Sequence, residues 1–238
     1  MFPSTRWTLL AQATMTGDAA GQEALSRLCE NYRPPVVAFL NHKGVAPSEA
    51  EDWAQELFAR LLTSRAWKRA DPEKGKFRTF LLGILRNVMK SQHARDCAQK
   101  NGGGQAVLSL DALQDESAWE PSQEEEEPCF EFDRAWAVRT LRSAFDSVRD
   151  TWHRAGKERA FQTYSRFLPG SQLPASYEDA AAELGMEEGA VRTAVSRLRF
   201  ELGEALRHQV ALTVASSEAV DDELRYLHRI LANRGVDL

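Results

Sequence analysis

The chain has 238 residues, 43% of them hydrophobic, a formal net charge of −5 and three cysteines. That length holds one large domain or two small ones, either with a real core. No apolar run approaches the ~20 residues of a membrane span, and no signal-peptide pattern opens the chain. Cys29, Cys97 and Cys129 are odd in number and lack CxxC spacing, which argues against a disulfide framework or a zinc site. His93 and Cys97 stand one helical turn apart with no further ligand nearby and read as surface residues. The expectation is a soluble, cytoplasmic protein with no metal, no cofactor and no membrane partner. Strand signals are scarce while Ala, Leu, Glu and Arg abound, so the fold class expected is all-α.

The acidic total hides a segregated charge. Residues 101–133 hold ten acids, including Glu124–Glu127, Glu131 and Asp133, and no Lys or Arg. The remainder has 30 basic residues against 25 acidic ones, about +5. A phosphate feels charge within a screening length of ~8–10 Å, so this local balance, and not the total, decides affinity for nucleic acid.

In chain order, residues 5–18 read as a short helix and 19–41 as a second, with Ala24, Leu25, Leu28 and Tyr32 on one face. Pro34-Pro35 predicts a kink or a fresh helix start, and Gly44 a stop. Ser48 and Glu51 fit a capping box opening a helix that turns Trp53, Leu57, Phe58, Leu61 and Leu62 inward. Asp71-Pro72-Glu73-Lys74-Gly75 has turn chemistry. From Phe77 to about Gln99 an amphipathic helix packs Phe77, Phe80, Leu81, Ile84, Leu85 and Val88 and leaves Arg78, Arg86, Asn87, Lys90, His93 and Arg95 polar or basic. Asn101-Gly102-Gly103-Gly104 breaks the chain, and the acidic stretch behind it reads as an extended, self-repelling linker. Helices over about 132–153 and 157–167 follow, the first with Trp136, Val138, Leu141, Phe145 and Val148 inward.

Ser176–Arg207 then reads as two helices joined at Gly185. Ser176 and Asp179 fit a capping box, and Gly185 supplies the left-handed residue that ends the first helix. Ala190, Val191, Val195, Leu198 and Leu202 form the buried stripe of the second. Arg192, Thr193, Ser196, Arg197 and Arg199 lie off it, the pattern of a helix-turn-helix that presents its second helix to a major groove. A final helix over 217–231 carries Val220, Leu224, Leu227 and Leu231.

Two stretches together resemble one family. AEDWAQELFARLL (50–62) with DPEKGKFRTFLLGILRNVMK (71–90) resembles the second region of the extracytoplasmic-function (ECF) sigma factors of bacterial RNA polymerase. SYEDAAAELGMEEGAVRTAVSRLR (176–199) resembles their fourth region, in the family's order. The resemblance implies that Asp52, Gln55, Glu56 and Phe58 grip core polymerase. It implies that Arg78, Thr79, Arg86, Asn87, Lys90 and His93 meet the minus-10 element, with the loop 71–76 cradling a flipped base. Arg192, Thr193, Ser196, Arg197 and Arg199 match minus-35 contacts. Ala194 departs from a position that is often basic, and Glu187 and Glu188 stand where a Ser cap is common.

The expected organisation is two helical domains joined by an acidic flexible linker, with a C-terminal extension. A region 2 domain covers 1–100, the linker 101–131, a region 4 domain ending in the helix-turn-helix 132–211, and the extension 212–238. The function implied is a sigma factor, with core RNA polymerase and promoter DNA as partners and either an anti-sigma factor or the extension itself as restraint. A helix-turn-helix regulator, or an interaction antagonist that does not bind DNA, is the alternative. No Gly-rich phosphate loop, metal-carboxylate pair or activated nucleophile points to an enzyme.

Overall fold

The computed structural model describes residues 19–63, 77–100, 130–171, 175–214 and 217–232. These form eight helices and no strand: α1 (Ala19–His42), α2 (Pro47–Thr63), α3 (Phe77–Lys100), α4 (Phe130–Arg154), α5 (Glu158–Ser165), α6 (Tyr177–Leu184), α7 (Glu188–Ala211) and α8 (Ser217–Ala232). The predicted helix over 5–18, the loop 71–76 and the acidic linker lie outside the described residues. The chain divides into two compact units. One comprises Met1–Trp136 with Leu212–Ala219, the other Ala137–Ala211 with Val220–Leu238. The division falls inside α4, a few residues beyond the boundary expected at 132.

The first unit is built by α1, which packs on α2 and α3. Tyr32, Val36, Phe39 and Leu40 of α1 are buried, as are Trp53, Leu57, Phe58 and Leu61 of α2 and Phe77, Leu81, Ile84, Leu85 and Val88 of α3. Each such side chain contributes about 1.5–3 kcal/mol on leaving water. Tyr32 meets the edge of Phe77 at 5.1 Å, and Phe77 lies 5.9 Å from Phe80, so both phenylalanines belong to the core. Leu62 and the residues Ala24, Leu25 and Leu28 have no described side chains.

Two local expectations change. Pro34 and Pro35 lie inside α1, which is continuous from Ala19 to His42. The loss of two amide donors is outweighed there by the burial of the residues on either side, Tyr32 and Val36. Ser48 does not cap α2. Ala46 accepts the first intrahelical bond from Ala50 at 2.8 Å, and Pro47 takes the first helical position, which its fixed φ suits. Glu51 instead pairs with Arg33 of α1 at 2.9 Å. The stop at Gly44 is as expected: φ is +88°, and Val45 N–H and Gly44 N–H donate back to Leu40 and Asn41, both at 3.0 Å. This Schellman closure buries Val45.

The beginning of α4 also belongs to the first unit, where Phe132, Asp133 and Trp136 are buried. Asp133 accepts a hydrogen bond from Arg78 of α3, with side chains only 8% and 11% exposed. The same guanidinium lies 5.0 Å from the centre of the Trp136 ring.

In the second unit, Val148 (α4), Phe161 and Tyr164 (α5), Leu168, Ala180 and Ala181 (α6) and Val191, Val195 and Leu198 (α7) make one core. Val138, Leu141 and Phe145, expected inward on α4, are only half-buried. Ala190, expected in the buried stripe of α7, is exposed, because it falls on the flank of the helix away from Val191 and Val195. In α8 the inward residues are Val220, Glu223, Leu227 and Ile230, while Leu224 and Leu231 sit half-buried at the margin of that stripe. Asp221 of α8 pairs with Arg207 of α7 at 2.7 Å.

Candidate functional site

The helix-turn-helix is α6–α7. Ser176 caps α6 in an extended conformation and accepts a long hydrogen bond, 3.4 Å, from Asp179 N–H, which realises half of the expected box. Gly185 closes α6 at φ +65°, and Met186 N–H reaches back to Ala181 at 3.0 Å. A side chain at Gly185 would meet open space, so the glycine is required by its backbone angle and not by crowding. Ala180 and Ala181 put no bulk between α6 and its neighbours, which lets the short helix seat closely in the core.

Glu183 fastens α6 to α5. Its carboxylate accepts from Arg166 at 2.8 and 3.2 Å and from Thr163 Oγ1 at 2.9 Å, and its backbone carbonyl accepts from Arg159 at 2.7 Å. Hydrogen bonds from Arg166 first and Thr163 second hold this carboxyl below the usual carboxylate range. In the unfolded chain it titrates near ~4.3, so the folded form binds fewer protons. The stabilisation is therefore whole above that pH and is lost as pH falls through the lower folded value. Thermal melts from pH 6 to pH 3 should show a smaller loss of Tm for Glu183→Gln than for the unaltered chain.

At 24 residues α7 is ~36 Å long, enough to cross a major groove and still pack on its neighbours. The five residues expected to face DNA are all exposed, but they are not equivalent. Arg192 accepts a planar support: its guanidinium lies 4.2 Å from the Tyr177 ring centre, Tyr177 stacks on Phe167 at 4.3 Å, and Glu188 takes its Nε–H at 3.0 Å. Thr193 Oγ1 donates to Gly189 C=O at 2.9 Å while the residue stays exposed. Arg199 donates to the Phe167 carbonyl at 2.7 Å and so braces the end of α5. Ser196 and Arg197 stand exposed on the outward side. Glu187 and Glu188 complement the helix dipole at this N-terminus, and Glu188 is engaged by Arg192. Trp152 of α4 donates to Glu201 at 2.6 Å and fixes the orientation of α7 on the core.

Sequence reasoning missed two residues here. Tyr177 was visible only as the first residue of α6, and its role as a platform depends on Arg192 fifteen positions later. Phe200 was detectable from helical spacing alone, one turn beyond Ser196 and Arg197, and it is 69% exposed.

In the first unit, Asp52 and Gln55 are exposed on one face of α2, and Glu56 beside them pairs with Arg60. Phe58 is 6% exposed, so it anchors that face from within the core and does not present itself to a partner. Along α3, Thr79, Arg86 and Asn87 are half-buried and Lys90 is exposed, the residues 79, 86 and 90 falling on one side at spacings of seven and four. Arg78 does not join them. Its ion pair with Asp133 and its place over Trp136 make it an internal tie, where the resemblance implied a contact with the minus-10 element. The side chain of His93 lies outside the described residues.

Among the described residues no helix is long and apolar enough to cross a membrane. Residues 28–97, which run from within α1 to near the end of α3, match the family model described as Sigma-70 region 2. No curated protein and no solved structure gives a significant match. Over that segment the chain is similar to Sigma-70 region 2, the part of the fold built by α1, α2 and α3.

Proposed function

We propose that this chain is a sigma factor of the ECF type, which binds core RNA polymerase, directs it to a promoter and helps to open the minus-10 element. One observation carries the reading: a sigma-70 region 2 segment shares a chain with a helix-turn-helix whose second helix bears arginines and hydroxyls outward. The exposed acidic-polar face of Asp52, Gln55 and Glu56, anchored by Phe58, supports a role in gripping core polymerase. Thr79, Arg86, Asn87 and Lys90 supply hydroxyl, amide and cationic groups on α3, which suits holding a melted strand by its backbone and base edges. Residues 1–100 would then serve as the minus-10 domain and 132–211 as the minus-35 domain, joined by the acidic linker 101–131.

In this reading the protein works by differential binding and carries out no bond chemistry. Cytoplasmic action follows from its partners, polymerase and promoter. The extension 212–238 acts as a restraint on α7: Asp221 holds Arg207, which lies on the same outward side as Ser196.

Run-off transcription with purified core polymerase tests the whole. The full chain should support promoter-dependent transcripts that core polymerase alone does not make. A chain ending at Val214 should make more of them. Absence of binding to core polymerase by either form would refute the assignment, and equal output from the two would refute the restraint.

A further inference from the structure

The outward side of α7 is polar along Arg192, Thr193, Ser196 and Arg197, and then changes character at Phe200. That ring is 69% exposed, well above the other exposed large hydrophobics among the described residues, Phe130 and Met186. A lone apolar side chain on a surface needs no explanation by itself; the position of this one does. Residues 193, 196 and 200 follow one another at helical spacing opposite the buried Val191, Val195 and Leu198. Phe200 therefore stands in the same row as the hydroxyls, one turn on. Gly203, a further turn along, is a helix-interior glycine beside which a side chain would find open space. No crowding requires it, and a glycine there costs about 0.5–1 kcal/mol relative to alanine. Its effect is to leave the surface next to the ring bare, so that a ligand can approach the helix closely.

Arg192 and Arg197 border this row and suit a polyanion, while Glu204 beyond it, and Arg207 already held by Asp221, close the track to phosphate. In the major groove the base edges present donors and acceptors, and only thymine adds an apolar group, its 5-methyl. We propose that Phe200 is a specificity-determining residue that packs against a thymine methyl at the end of the base-reading track of α7. The inference rests on the reading of α6–α7 as the minus-35 domain and adds a base preference to it.

The test uses the full chain assembled with core polymerase. Duplexes selected by this holoenzyme from random sequence define the site, and each thymine in its upstream half is then replaced by uracil, which removes the methyl alone. One replacement should weaken binding by about fourfold, the factor equivalent to the ~0.8 kcal/mol of one buried methylene-sized group. In Phe200→Ala the same replacement should have no further effect, and Phe200→Leu should keep part of the discrimination. A site indifferent to every uracil, or a thymine response unchanged in Phe200→Ala, overturns the proposal. So does a Phe200→Ala chain that binds core polymerase more weakly with its thymine response intact, since that marks the ring as a protein contact. Failure to select any duplex strikes down the minus-35 reading itself, and this inference with it.

Discussion

Asp133→Ala should destabilise the first unit by about 3–5 kcal/mol, the usual cost of removing one partner from a buried ion pair. Both side chains are nearly out of water, and the deletion takes from the buried Arg78 guanidinium the carboxylate that faces it. At ~2–4 °C per kcal/mol for a unit of this size, the melting temperature falls by about 6–20 °C. The double substitution Arg78→Met with Asp133→Leu removes both charges and should recover most of that loss, because well-packed apolar replacements of buried pairs are often neutral. Differential scanning calorimetry of the three chains checks both results. A single alanine that melts like the parent would show that the pair is solvated in practice.

If α6–α7 reads the minus-35 element as proposed, Arg197→Ala should weaken promoter binding by the holoenzyme about ten- to a hundredfold, within the ~1–3 kcal/mol of one good arginine–base contact. Arg199→Ala should behave differently. Its guanidinium holds the Phe167 carbonyl, so its loss loosens α5 against α7 and lowers stability before it lowers affinity per folded molecule. Affinity and melting temperature, measured on both variants, separate the two roles. Equal affinity losses with unchanged melting would mean that Arg199 leaves its carbonyl to bind DNA.

What was legible in the sequence was whatever has a short period. Trp53, Leu57 and Leu61, or Val191, Val195 and Leu198, declare a buried stripe by spacing alone, and Gly44 and Gly185 declare helix ends because the left-handed angle there excludes most other residues. Capping was less legible. Ser48 and Glu51 match a box, yet Pro47 claims the first helical position and Arg33 claims the glutamate from another helix. Long-range pairing was not legible at all. Nothing about Arg78 distinguishes it from Arg86 until Asp133, 55 residues away, is folded against it. The candidate site therefore emerged as a list of exposed helix faces, and the structure divided that list into groups committed to the fold and groups turned outward.

The sandwich of Phe167, Tyr177 and Arg192 has a consequence for how this protein can drift. A lysine at 192 keeps the charge but offers no plane to lie on the phenol ring, and a tyrosine lost at 177 leaves the guanidinium without its shelf. Replacement of Glu188 frees the remaining edge. These contacts make the positions one structural unit, so on the minus-35 reading a change at any one of them should alter promoter preference in a step and not by gradual erosion.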